Sequence, residues 1–143
     1  MEKAKGIDVS HWQGRIDFDK VKSQGYSFVM INAGYGKYIS QKDENFEKNY
    51  AAARKAGLNI GTYWYSYALT EADALAEAKT FLEAVKGKKF EYPLAFDIED
   101  ASQSELPNAA IKKIIEAFCR RRDKTMIMVT HYENELPETI THR

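Results

Sequence analysis

Five short runs rich in β-branched and aromatic residues are separated by longer amphipathic stretches, and this alternation is what most restricts the fold. The runs are KGIDVS from Lys5, YSFVMINAG from Tyr26, LNIGTYWYSYA from Leu58, YPLAFDIED from Tyr92 and TMIMVTHY from Thr125. Strands that alternate with helical patterns belong to a parallel sheet. Their starts recur about every 20 to 35 residues, the size of a βα unit, with no residue-level repeat beneath that rhythm.

The intervening segments carry helix signals. DFDKVKSQG sets Phe18 and Val21 on one side and ends in Gly25. DENFEKNYAAARKAG spaces Phe46, Tyr50 and Ala53 at helical intervals and also ends in Gly. The third opens at Thr70 and Asp73, close to a capping box, and turns Leu75, Ala78, Leu82 and Val85 inward before Gly87. The fourth starts near Pro107 and buries Ile111, Ile114, Ile115 and Phe118. Five strands and four helices result, in an α/β chain. A complete (β/α)₈ barrel usually takes about 250 residues, so a barrel here is a partial one, and an open doubly wound sheet suits the length better.

A chain of 143 residues, 44% of them apolar, is one domain with a real core. Its 21 basic residues balance 21 acidic ones, so no net field calls for nucleic acid or a membrane surface as partner. One cysteine, Cys119, excludes an internal disulfide and offers no zinc spacing; among Ile114, Ile115 and Phe118 it reads as a buried helix position. MEKAKGIDVS lacks the apolar stretch of a secretory signal, and no run of 18 apolar residues occurs. The expectation is a soluble protein made in the cytoplasm. Nine Tyr, seven Phe and two Trp exceed the needs of a small core and raise the expectation of a stacking surface, which sugars and bases both use.

LAFDIED, residues 94–100, begins as a strand entering a core and ends in three carboxylates. Residues two apart on a strand share a face, so Asp97 and Glu99 project together while Phe96 and Ile98 point the other way. Adjacent carboxylates repel and prefer water. At the carboxyl end of a parallel strand they lie where α/β enzymes keep their chemistry. Asp100, followed by ASQS, reads as the start of a turn. The first run also ends in an acid, Asp8, and in a barrel the first and fourth strands face one another across the mouth. Asp8 thus either completes a three-carboxylate cluster or caps a turn. In YWYSY, Tyr63, Tyr65 and Tyr67 take one face and Trp64 the other; alternation makes one set core and the other cleft lining without choosing between them. Paired acids beside a tyrosine wall suit glycoside cleavage, in which one protonated carboxyl serves the leaving oxygen and an ionised one supports or attacks an oxocarbenium-like centre. Neighbouring charge and partial burial separate the two pKa values.

GIDVSHWQGRIDFDKVKSQGYSFVMINAGYG, QKDENFEKNYAAARKAGLNIGTYWYSYA and YPLAFDIED closely resemble the glycoside hydrolase family 25 lysozymes, the Chalaropsis-type muramidases of phage endolysins, bacterial autolysins and some fungi. The likeness runs in order from residue 6 to about residue 118. It implies a peptidoglycan hydrolase that cuts the β-1,4 bond between N-acetylmuramic acid and N-acetylglucosamine on an irregular TIM-like barrel, without metal or cofactor. Its site residues would be Glu99 as proton donor, Asp97 as nucleophile or as stabiliser of an intermediate formed by the substrate's own N-acetyl group, Asp8 as electrostatic support, and Tyr63 and Tyr65 as sugar contacts. Gln13, from the same opening motif, would hold structure.

Two departures qualify the resemblance. Family members commonly carry a basic residue where this chain has Asn32. The family domain also runs to roughly 180 to 200 residues, so residues 1–143 are expected to form a single catalytic domain lacking the last three strands, with an atypical tail at 120–143. A half-finished barrel exposes sheet edges, for which a second copy of the chain is the expected partner. Two other functions remain open: a remnant that at most binds cell-wall glycan, and a phosphoryl-transfer enzyme holding Mg²⁺ on Asp8, Asp97 and Glu99. The latter lacks a phosphate loop, since GYGK has neither the spacing nor the following Ser or Thr.

Overall fold

The computed structural model describes residues 5–98, 100–121 and 127–130, with 118–121 and 127–130 described through their backbone alone. Strand and helix alternate as expected: β1 (Gly6–Val9), α1 (Phe18–Ser23), β2 (Phe28–Tyr35), α2 (Phe46–Lys55), β3 (Asn59–Tyr65), α3 (Glu71–Ala84), β4 (Leu94–Asp97), α4 (Asn108–Arg121) and β5 (Ile127–Thr130). All five strands pair in parallel, in the spatial order β1-β2-β3-β4-β5. A doubly wound sheet reverses its order of strand addition at a switch point. This one never does, so the doubly wound alternative is excluded. The sheet is an arc of a β/α barrel that does not close among the described residues. TMIMVTHY supplies the fifth strand through Ile127–Thr130.

Helix boundaries follow local chemistry. Asp17 caps α1 by accepting from Lys20 N at 3.1 Å, and Thr70 caps α3 by accepting from Asp73 N at 3.1 Å. Gly25, Gly57 and Gly87 follow α1, α2 and α3 at φ of 94°, 83° and 80°, the left-handed geometry that ends helices.

One face of the sheet meets the helices. Val29, Ile31, Ile60, Trp64 and Phe96 pack there against Phe46, Ala53, Ala78, Phe81 and Ile114. The opposite face carries a smaller cluster of Phe28, Met30 and Ala95, with Tyr63 and Tyr92 against it. On α3 the inward stripe differs from the one expected: Ala74, Ala78 and Phe81 are buried, while Leu75 and Leu82 are half-buried at its flank. Small alanines suit a close approach of helix to sheet, and Phe81 reaches between Trp64 (ring centroids 5.5 Å apart) and Phe96 (5.2 Å). On α4, Ile114 and Ala117 are buried and Ile111 and Ile115 half-buried; the side chains of Phe118 and Cys119 lie outside the described residues.

Phe81 is therefore the keystone of the helix side. Phe81→Ala is expected to lower stability by about 3–5 kcal/mol in urea denaturation, with a red shift of the emission of buried Trp64. A loss below about 1 kcal/mol would contradict this packing.

Candidate active site

In a parallel sheet, residues paired across strands point to the same face, so the register decides which side chains meet. Asp8 pairs with Met30 and Asn32 with Tyr63; Tyr63 pairs in turn with Ala95, and Tyr65 with Asp97. These residues occupy the face away from the helices, towards the carboxyl ends of the strands. Trp64, between the two tyrosines, is wholly buried on the other side. The choice left open by alternation is thereby made: the tyrosines line the cleft and the tryptophan is core.

Tyr35 joins them through a bulge. Counting by twos from Asn32 would send Tyr35 into the helix-side core, but the register slips between Asn32 and Gly34, and Tyr35 pairs with Tyr65 instead. Gly34 makes the slip possible. Its φ is 152°, and a Cβ there would lie 2.6 Å from the Trp64 ring and 2.7 Å from the Gln41 carbonyl. The ring of Tyr35 then meets Tyr67 edge-on at 5.9 Å, and Tyr67 lies 5.1 Å from Tyr65. Tyr35 and Tyr67 are both exposed.

Tyr63 is the electrostatic centre. Burial pushes its phenol far above the ordinary range, the charge of Asp8 pushes further, a hydrogen bond from Asn32 opposes, and Asp97 and Asp43 add to the rise. Two acids from strands β1 and β4 thus act on one hydroxyl held on β3. That hydroxyl keeps its proton at any physiological pH. Asp8 and Asp97 stand on the same face of the sheet, on strands β1 and β4. Asp8 lies within β1, and the turn after it is capped by Ser10, which accepts from Trp12 N at 3.2 Å. Gln13 closes the same turn, its Oε1 accepting from Ser10 N at 2.6 Å, which is the holding role expected of it. Glu99 lies outside the described residues.

Asp43 was not legible as a site residue, because an acid just before a helix reads as a cap. Its side chain is only 2% exposed. Oδ2 lies 2.8 Å from His11 Nδ1 and accepts from His11 N at 3.1 Å, while Oδ1 accepts from Asn45 N at 2.9 Å. The loop after β1 is thereby tied to the loop after β2. Trp12, 83% exposed, rests against the His11 ring at 4.5 Å between centroids.

Asp100 begins a turn, as its sequence suggested: it caps Ala101–Gln103 by accepting from Ser102 N at 3.1 Å. It also accepts from the Tyr65 hydroxyl at 3.2 Å. The Ser102 hydroxyl, with help from Tyr65, holds its carboxyl below the usual range. Glu77 is the other acid that sequence did not reveal. It sits on α3, 1% exposed, with its Oε1 accepting from Ser66 Oγ at 2.6 Å and its Oε2 from Tyr67 N at 2.8 Å. Burial pushes its carboxyl up to about 7, against the pull of these two hydrogen bonds.

Comparison with known proteins finds relatives of one family. Residues 7–134 match the family model described as glycosyl hydrolases family 25. The chain is 36% identical over 95 residues to the autolytic lysozyme of Clostridium acetobutylicum, covering 66% of this chain and 28% of that protein. It is 47% identical over 62 residues to lysozyme M1 of Streptomyces globisporus, covering 43% of this chain and 20% of that one. The chain thus spans less than a third of either relative. Among solved structures, the modular autolysin LytC of Streptococcus pneumoniae superimposes with a TM-score of 0.79 at 25% identity, over 97% of this chain and 35% of that one. The same autolysin has been solved in complex with a synthetic peptidoglycan ligand.

Glu77 gives the fold a specific pH dependence. Its folded pKa of about 7 lies above the ordinary 4.5, so below pH 4.5 both folded and unfolded chains are protonated there and its stabilising contribution is complete. Between 4.5 and 7 the unfolded chain ionises first and that contribution is lost. Relative to Glu77→Gln, the native protein is expected to lose on the order of 3 kcal/mol between pH 4.5 and 8. Urea midpoints for the two proteins across this interval give the answer; parallel curves would refute it.

Proposed function

The chain belongs to the glycosyl hydrolases family 25, and from that premise we propose that it is a peptidoglycan hydrolase, an N-acetylmuramidase acting on the β-1,4 bond between N-acetylmuramic acid and N-acetylglucosamine. One observation carries the reading: Asp8 and Asp97, from the first and fourth strands, share a sheet face with Tyr63 and Tyr65, and both acids help to raise the half-buried Tyr63 phenol. In this mechanism Glu99 delivers a proton to the leaving oxygen. Asp97 supplies the second carboxylate, attacking the anomeric carbon or steadying the intermediate formed by the substrate's acetamido group. Asp8 adds negative charge opposite the developing oxocarbenium, and the Tyr63 hydroxyl donates a hydrogen bond into the same space. Tyr65, held by Asp100, offers a ring edge to the sugar. The reaction needs neither metal nor cofactor in this scheme, and its place of action is the cell wall. Among the described residues no helix is long and apolar enough to cross a membrane.

A second reading draws on the open sheet. With β1 and β5 as its ends among the described residues, the chain would pair with a second copy along an edge, or would hold glycan without cutting it.

Purified cell walls incubated with the protein in EDTA separate these readings. New reducing ends are expected from the native chain, falling at least about 100-fold in Glu99→Gln and Asp97→Asn while circular dichroism stays native. Binding to walls without release would favour the non-cutting reading, and loss of release with EDTA would favour metal chemistry.

A further inference from the structure

A buried polar chain lies behind the cleft wall and reaches the backbone of Asp97. Ser66, fully buried just beyond β3, donates its N–H to the Asp97 carbonyl at 2.9 Å. Its Oγ accepts from Ala68 N at 3.1 Å and from Gln103 Nε2 at 3.2 Å. With both acceptor positions occupied, the Ser66 proton goes to Glu77 Oε1 at 2.6 Å. The other oxygen of Glu77 faces Tyr67 N, also a donor, at 2.8 Å. Gln103, 3% exposed, completes the chain. Its Nε2 donates to the Ala68 carbonyl at 2.9 Å and its Oε1 accepts from Asp100 N at 3.3 Å, next to the carboxylate that receives the Tyr65 hydroxyl.

We propose that Glu77 is a positioning residue of the glycan-cutting site: gripping Ser66 and Tyr67, and through Ser66 meeting Gln103, it sets the loops after β3 and β4 so that Tyr65 and Tyr67 stand at fixed places beside Asp97. The inference rests on the muramidase reading given above. Both oxygens of Glu77 face donors, and only the ionised carboxylate, the form that prevails above about pH 7, presents two acceptors in that space. Glutamine must turn its amide nitrogen against either the Ser66 hydroxyl or the Tyr67 N–H. An apolar side chain would fill the volume at no greater cost to the fold, since burying a carboxylate is itself unfavourable. What the carboxylate supplies is geometry. Its partners are loop groups with no strand or helix partner of their own, and the loop they shape carries Tyr67 to the Tyr35 edge.

Glu77→Gln and Ser66→Ala test this, with Phe81→Ala as a control that weakens the core without touching the chain. Turnover of soluble peptidoglycan glycan fragments and amide hydrogen exchange are measured at a temperature where all four proteins are folded. Both network variants are expected to raise KM about tenfold, leave kcat within about threefold of native, and speed exchange at Tyr67 and Ala68 at least tenfold while β2 amides keep their native rates. The control is expected to keep native KM. Native KM in both network variants, native exchange at Tyr67 and Ala68, or an equal rise in KM in the control would each overturn the proposal. A native chain that cuts no glycan would instead strike the muramidase reading on which it rests.

Discussion

The direction of each side chain in the candidate site is set by the register of four parallel strands. Successive residues alternate between faces, and paired residues share one. Asp8, Asn32, Tyr63, Tyr65 and Asp97 consequently look away from the helices together, although they are scattered over ninety positions of sequence. A slip of one residue in β1 or β4 would turn an acid to the helix side, and one in β2 or β3 would do the same to Asn32 or the tyrosines. The helix-side core enforces this register, because Trp64, Phe96 and Ile31 are wholly buried only when the tyrosines and acids face outward.

Placing acids together has an electrostatic cost that the surrounding groups offset. Tyr63 is half-buried and retains its proton, held there by desolvation and by the charges of Asp8, Asp97 and Asp43. Asp43 is handled differently: its carboxylate is satisfied by the backbone and ring of His11 and by Asn45 N, and it serves as a tether between two loops. Asp100 spends its acceptors on Ser102 and Tyr65. Asp43 and Asp100 thus serve the loops, while Asp8 and Asp97 stand on the sheet face that carries Tyr63 and Tyr65.

Much of this was legible in the sequence. Strand runs, helix caps at Thr70 and the terminal glycines all report local preferences, and these survive into the fold with their boundaries nearly intact. Alternation put Tyr63, Tyr65 and Tyr67 on one face without saying which face it was; the register that pairs Tyr65 with Asp97 makes that choice. Three things were not legible. The bulge at Gly34 is a defect in periodicity, so the rule that placed Tyr63 and Tyr65 sends Tyr35 to the wrong face. The inward stripe of α3 was drawn through Leu75, Ala78, Leu82 and Val85; Ala78 and Val85 are buried as expected, but the space beside Trp64 and Phe96 selects Phe81 over the two leucines. Glu77 and Asp43 looked like ordinary polar positions on or before helices. Only contacts between distant segments reveal them as buried, and no periodicity encodes such contacts.

The braces also determine how much of the molecule the site requires. His11 and Asp43 join the first two loops; Ser66 grips Asp97; Glu77 and Gln103 join the third and fourth loops; Asp100 holds Tyr65. Every one of these bonds lies between residues 11 and 103, inside the arc from β1 to the turn after β4. A site assembled from separate strands of a closed barrel could lean on closure to bring its parts into line. Here, for the groups described, alignment comes from hydrogen bonds within a βα unit or between neighbouring ones, and those to Asp43, Ser66 and Glu77 satisfy buried polar atoms that would otherwise cost about 1–3 kcal/mol each. The arrangement of Asp8, Tyr63 and Asp97 is therefore a property of four consecutive units. β5 adds to that support from the other side, since it pairs with β4 as far as Asp97, opposite Thr130.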